Sequence, residues 1–437
     1  MSRYLFAPMP FTGHVNPGLP IARELVARGH DVRWYSTPRF RRAIEAVGAR
    51  YVPFYYAMPL DEERLEEMFL RRPKSGGIAQ LRWDIKNIFV DFWPGALRDL
   101  GAELEREPAD VIVGDSAAAA PEAVHARYDI AWAVYGVSVL TMSSRDTAPF
   151  GLALKPDATP LGRLRNRILT KLVDRTIFGA ANKHNARLRR KLNLPPLGKS
   201  IMDFTRDADL YLQGSVASFE YPRTDMPENV RFIGAPVPQP PADWVRPAWW
   251  HELDRHRVVL VTQGTINNDY DQLIRPAIRA LANEGVLVVV TTGSKPPSAV
   301  GLDRPLPSNV IIEQFIPYAH LMPKVDLLVT NGGYGSIQIA LSHGVPVVAI
   351  GKTEEKPEIA NRVEWSGVGV GIKELIPTET QIRDAVQTVL TDMTYKARAN
   401  AIRYEMSGLD AAVRGADLLE QLAGVEEPAA ISAGFCA

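Results

Sequence analysis

The 437-residue chain has a single cysteine, Cys436, next to its C-terminus. No disulfide can form within it, and a metal site built on several thiolates is excluded. Excess charge is missing too, with 50 Lys plus Arg against 50 Asp plus Glu. A general nucleic-acid binder needs a basic surface, so that class is disfavoured. No stretch approaches the ~20 uninterrupted apolar residues of a membrane-spanning helix. The opening Met1-Ser2-Arg3-Tyr4-Leu5-Phe6-Ala7-Pro8 is too short and too proline-broken for a secretory signal. We therefore expect a cytoplasmic protein, monomer or homodimer, with neither nucleic acid nor membrane among its partners.

What remains is the composition of an ordinary globular protein, 46% hydrophobic and 23% charged. At about 100–200 residues per domain, the length divides most simply into two domains. In the first half, short apolar strands alternate with amphipathic helices. Tyr4–Ala7, Asp31–Tyr35 and Asp110–Gly114 read as strands. Leu19–Arg28, Pro38–Val47 and Ala117–Arg127 read as helices. The segment 222–250 holds seven prolines and suits an extended linker. After it the alternation restarts, with strands at Val258–Val261, Val286–Val290, Asp326–Val329, Val345–Ala349 and Gly369–Ile372 and a helix over Tyr270–Asn283. Such alternation implies βαβ units around parallel sheets. The expected class is α/β: two Rossmann-like, doubly wound domains facing each other across a cleft, where ligands meet the carboxyl ends of the strands. We place the domains at 1–221 and 251–408, a helix at 409–424 packing back on the first domain, and a frayed tail at 425–437. The basic run Asn185–Lys191 reads as a solvated helix face.

Two stretches carry chemistry. Val329-Thr330-Asn331-Gly332-Gly333-Tyr334-Gly335-Ser336 leaves an apolar strand and opens a helix. Glycines there let backbone N–H groups approach an anion, and the helix dipole favours negative charge. No Gly-Lys-Ser/Thr follows, so this is not a Walker A loop. The spacing is not Gly-x-Gly-x-x-Gly either, which disfavours NAD. Thr12-Gly13-His14-Val15-Asn16-Pro17 follows the first strand. A histidine at this rim of the cleft has a near-neutral pKa suited to taking a proton from a hydroxyl. Asp115, ending another strand, can orient it and stabilise its imidazolium form, or can cap the following helix.

Together with Gln263-Gly264-Thr265, Phe315-Ile316-Pro317 and Gly344-Val345-Pro346, these motifs resemble, in order and over nearly the whole chain, the family 1 nucleotide-sugar glycosyltransferases of the GT-B fold. The bacterial macrolide and antibiotic enzymes resemble it most. The resemblance implies an inverting transfer from a UDP- or dTDP-sugar, with no metal, to a small apolar acceptor such as a polyketide, macrolide or flavonoid. His14 would be the base and Asp115 its support. Gly332, Gly333, Gly335 and Ser336 would hold the diphosphate. Gly264 and Thr265 would lie near the phosphates, and Phe315 and Ile316 would flank the nucleobase. Tyr55, Phe89, Trp93 and Phe150, with Tyr56 and Phe92, would supply acceptor surface.

Five positions depart from the family pattern. Asn331 stands for a histidine. Ile339 stands for a ribose-binding glutamate, with Gln338 as its nearest substitute. Tyr318 stands for a glutamine. Glu355-Lys356 stands for a sugar-contacting Asp-Gln pair; Glu355 would accept from sugar hydroxyls, and Lys356 would meet a phosphate or an acidic sugar. Two other readings stay open: a sugar-nucleotide epimerase of the same fold, and a catalytically silent binding protein, to which the missing carboxylate at Ile339 lends weight.

Overall fold

A computed structural model describes residues 1–73, 77–241, 243–264, 269–302 and 306–425. Thr265, most of the tail and Cys436 lie outside the described residues. Strands β1 (Arg3–Phe6), β2 (Asp31–Ser36), β3 (Arg50–Pro53), β4 (Val111–Asp115), β5 (Ala131–Gly136), β6 (Leu210–Gln213) and β7 (Val230–Phe232) form one sheet. Its order is β3-β2-β1-β4-β5-β6-β7 and every pairing is parallel. Strands β8 (Val258–Thr262), β9 (Leu287–Thr291), β10 (Val310–Glu313), β11 (Leu327–Thr330), β12 (Val347–Ile350) and β13 (Gly369–Ile372) form a second parallel sheet in the order β10-β9-β8-β11-β12-β13.

The apolar runs in the sequence have a direct cause. A parallel sheet is covered by helices on both faces, so its central strands are buried throughout. Side chains of one strand still alternate between faces. Leu5 and Ile112 enter one core while Tyr4, Phe6, Val111 and Val113 enter the opposite one. Val258 and Leu260 are likewise separated from Val259 and Val261.

Both sheets reverse their winding beside their first strand, between β1 and β4 and between β8 and β11. Loops that leave these strands at their carboxyl ends diverge and open a crevice. His14 and Asp115 are at the first of these points. Gln263-Gly264 and the turn 331–336 are at the second.

The proline-rich segment requires a correction. β7 lies inside 222–250 and pairs with β6, so the first sheet continues to Phe232. Three residues between Pro227 and Pro236 are too short a run to stand out from the prolines around them. The helix Ala411–Leu422 lies against Leu19–Ala27, with Ala416 and Leu419 in the same core as Tyr4 and Phe6. Arg28 bonds Asp417 at 2.7 Å and Glu420 at 2.6 Å across this contact.

The two domains also meet through buried polar groups. Glu220, in the β6–β7 connection, accepts from Arg362 Nε at 2.8 Å and from the Tyr334 hydroxyl at 3.2 Å. Glu358 accepts the backbone N–H groups of Gly151 and Ala153 at 3.0 and 2.8 Å. Arg362 and Glu358 are on the helix Lys356–Ser366, which Gly367 terminates in the left-handed region.

Candidate active site

His14 lies in the short helix Thr12–Val15 just after β1. Its Nδ1 is 2.8 Å from Asp115 Oδ1. Asp115 is fully buried at the end of β4. Its carboxylate also accepts the N–H of Met9 at 2.6 Å and of Ala117 at 2.7 Å. The following helix starts at Ala120 with Ala119 as its cap, so the helix-capping role does not hold. Asp115 closes the turn after β4 and holds the imidazole. Burial lowers the His14 pKa. Attraction and a hydrogen bond from Asp115, with smaller contributions from Glu355 and Glu62, overcome this and set it above the ordinary histidine value. Glu355 belongs to the second domain, so its effect on His14 crosses the cleft.

The backbone under His14 is fixed by close packing. The Tyr135 hydroxyl donates to the His14 carbonyl at 2.7 Å. A Cβ on Gly18 would come within 2.8 Å of Trp34 and 2.9 Å of Tyr135, so only glycine lets the chain descend here. Glu62 was not visible as a functional residue in the sequence. It is buried, accepts the Thr12 N–H at 2.7 Å, and is itself paired with Arg39 at 3.2 Å. Its only sequence signal is an acidic run, Asp61-Glu62-Glu63, with no motif to tie it to residue 12.

On the opposite side, Gly332 has φ +86°, a conformation that favours glycine. Gly333 caps the helix Tyr334–Ser342. The Asn331 amide donates to the Gln263 carbonyl at 2.6 Å, and Gly264, with φ +78°, packs beside it. The Ser336 hydroxyl donates to the Gly333 carbonyl at 2.9 Å, within its own first turn. Lys356 closes the site: Gly332 and Gly351 both face its side chain, and its Nζ is 3.2 Å from Glu354 Oε2 and from Thr353 Oγ1. Burial and then the neighbouring Glu354 push the Glu355 carboxyl upward.

A full-length relative decides the family. 4'-Demethylrebeccamycin synthase of Lentzea aerocolonigenes is 45% identical over 423 residues, covering 96% of this chain and 99% of its own. The chain belongs to the family 1 glycosyltransferases of the GT-B fold. UDP-glycosyltransferase 2 of Phaeomoniella chlamydospora is 32% identical over 439 residues, covering 96% of this chain and 95% of its own. Residues 281–416 of the glycosyltransferase match the model for the erythromycin biosynthesis protein CIII-like C-terminal domain. The solved glycotransferase of kitacinnamycin shares the fold, with a TM-score of 0.74 at 23% identity, covering 96% of this chain and 99% of its own. The protein is a hexosyltransferase of the antibiotic-biosynthesis type, and no helix among its described residues is long and apolar enough to cross a membrane.

Several sequence expectations need correction in the glycosyltransferase. Ile316 is buried in the core of the second domain and cannot flank a base, whereas its neighbour Phe315 is 58% exposed. Ile339 is also in that core. Gln338 cannot replace a ribose ligand, because it is buried and accepts the Ser215 hydroxyl at 2.8 Å. Trp93 and Phe92 are core residues, and the Trp93 indole donates to Asn185 at 3.0 Å. Tyr55 and Tyr56 are on the open surface; Tyr56 stacks with the Arg98 guanidinium at 3.4 Å. Of the aromatic set, Phe89 lies 6.4 Å from the His14 ring, with Phe11 wedged beside both. Phe150 packs against the cores of both domains. The basic run at 185–191 is not uniformly solvated either: Arg189 is buried and paired with Glu122.

Proposed function

We propose that this glycosyltransferase is an inverting enzyme that moves a hexosyl group from a UDP- or dTDP-sugar to a hydroxyl of an apolar natural product. The 2.8 Å His14–Asp115 contact at the β1/β4 crevice carries the reading. His14 Nδ1–H is held by Asp115, which leaves Nε2 free to accept the acceptor's proton. The deprotonated oxygen attacks the anomeric carbon from the face opposite the nucleotide, the C–O bond to the diphosphate breaks, and configuration inverts. The developing diphosphate charge meets the N-terminus of Tyr334–Ser342, the Ser336 hydroxyl and the Lys356 ammonium, so the step calls for no metal. Ser336 would turn its hydroxyl from Gly333 to the phosphate. Glu355 would accept from the sugar hydroxyls. Phe89 and Phe11 beside the base suit an apolar acceptor, and Phe315 suits a nucleobase. The names of the two relatives, a rebeccamycin-type synthase and a UDP-glycosyltransferase, agree with this reading.

Calorimetric titration with UDP and dTDP, followed by transfer assays in the presence of EDTA, tests it. One nucleotide should saturate, and its glucose conjugate should support transfer to apolar polyphenols or macrolides. Ser336→Ala should weaken that nucleotide's affinity about ten- to 150-fold, the worth of one hydrogen bond to a charged group. Unchanged affinity would remove the diphosphate from this turn.

A pH profile tests the dyad. His14 must be neutral to accept a proton, so kcat/KM should rise with pH through a midpoint above the ordinary histidine value. In Asp115→Asn the burial that lowers the pKa remains and the attraction that raises it is gone. The midpoint should move down while the plateau falls at least 100-fold, since the imidazole loses its fixed tautomer. An unmoved midpoint would separate Asp115 from the base. Stability has the opposite sense: a raised folded-state pKa stabilises the fold below the unfolded histidine value, and that contribution is lost as pH rises through the folded one.

A further inference from the structure

The helix Pro160–Thr176 packs on the first domain through Gly162, Asn166 and Val173. Its outer face is apolar. Leu161, Leu164, Ile168 and Leu172 are 79%, 54%, 57% and 54% exposed. Their spacing places them on one stripe of a helix. Basic residues line both borders. At 100° per residue, Arg165 falls on one side and Arg167 and Lys171 on the other, while Arg175 ends the stripe itself in the last turn of the helix. Arg163 is paired with Asp146 at 2.8 Å. Among the described residues, none of the other four cations pairs with a carboxylate; Arg165 bonds only the Asn166 amide oxygen and the Lys155 carbonyl. The helix carries five cations and one acid, Asp174, in a chain whose net charge is zero.

We propose that this face docks the enzyme on an anionic lipid bilayer as a peripheral protein. The four apolar side chains enter the headgroup–acyl boundary while the flanking guanidinium and ammonium groups meet lipid phosphates, the arrangement of an interfacial amphipathic helix. A second copy of the chain is the poorer occupant on two grounds. A two-fold contact would set the unpaired cations of one helix against those of the other. Four side chains also fall well short of the ~800 Å² per partner of a stable interface. The helix follows the segment that carries Phe150, and Gly151 packs against Leu81 of the helix Gly77–Asp84, which displays the exposed Ile78. The bilayer would thus lie on the acceptor-binding domain, where an apolar acceptor dissolved in lipid could enter. This departs from the expectation of no membrane partner: no helix among the described residues is long and apolar enough to cross a bilayer, and the proposed contact is peripheral.

The test is co-sedimentation of the full-length protein with phosphatidylcholine vesicles and with equimolar phosphatidylcholine–phosphatidylglycerol vesicles. The parent should pellet with the anionic vesicles, less so at high salt, and stay in solution with the neutral ones. Arg167→Gln/Lys171→Gln should weaken binding about 25-fold, fivefold per charge removed. Leu164→Asp/Ile168→Asp should weaken it at least tenfold. All four substituted positions are exposed, so both variants should keep the parent's melting temperature and its turnover of a water-soluble acceptor without vesicles. Failure of the parent to bind anionic vesicles would overturn the proposal. So would undiminished binding by Leu164→Asp/Ile168→Asp, or a dimer by light scattering that this variant splits.

Discussion

Replacing His14 with alanine should lower the transfer rate about 10³-fold and leave nucleotide affinity within twofold of the parent. The two readouts separate because the groups belong to different domains. His14 hangs from β1 in the first sheet. The turn at 331–336 and Lys356 hang from the second. General-base catalysis contributes about 10²–10⁴-fold to a rate, and the expected loss lies in the middle of that range because a sugar or polyketide hydroxyl is far too weak an acid to ionise unaided at neutral pH. The substitution should not disturb the fold. The bonds that secure this turn run through backbone groups, namely the Tyr135 hydroxyl to the carbonyl of residue 14 and Glu62 to the N–H of Thr12. Single-turnover transfer and calorimetry on the same preparation give both numbers. A variant with undiminished turnover would remove His14 from the role of base and assign the proton to another group. One that loses nucleotide affinity as well would show that His14 acts through the domain closure.

The dyad could be read in the sequence because its two members sit at places the alternation of strands and helices already marks. An apolar run predicts a strand, a strand end predicts a loop at the cleft, and a polar residue there stands out. The same logic located the glycine turn, where Gly332 takes a φ that favours glycine. Five strands escaped it: Arg50–Pro53, Ala131–Gly136, Leu210–Gln213, Val230–Phe232 and Val310–Glu313, of which Ala131–Gly136 and Leu210–Gln213 are interior and buried. Arg50–Pro53 and Val230–Phe232 are edge strands, where one side of the ladder is open and the residues need not be apolar throughout. The site's supports escaped it for another reason. Glu62 reaches Thr12 across 50 residues and Glu358 reaches Gly151 across 207. Such contacts have no period and no local spacing; they exist only once the two sheets are assembled. Trp93 failed in the reverse direction. An aromatic residue announces either a core or a pocket, and only the partner of its indole N–H, Asn185 on a neighbouring helix, decides for the core.

The joint between the domains is where the second large effect is expected. Glu220→Ala should cost about 3–5 kcal/mol of stability, because it strips a buried cation of its main partner. Arg362 and Glu220 are both almost wholly buried, 2.8 Å apart, and the guanidinium also lies 4.2 Å over the Tyr221 ring. Arg223 is half-buried near the same carboxylate. Burial is the largest influence on it and brings its pKa down to about 10, with Glu220 acting the other way. Removing Glu220 therefore leaves Arg362 with Glu358, 3.5 Å away, and Arg223 with the attraction of Asp225 as compensation. Urea unfolding should register the loss as a lower midpoint. Glu220→Met/Arg362→Met should recover most of it, since the apolar pair buries neither charge. Nucleotide affinity gives the second half of the argument. Glu355 and Lys356 open the helix on which Arg362 rides. If the pair serves to hold that helix against the first domain, the double variant regains stability and still binds the donor sugar more weakly than the parent. If donor binding returns together with stability, packing alone orients the helix, and the buried charges contribute nothing specific to the geometry of the cleft.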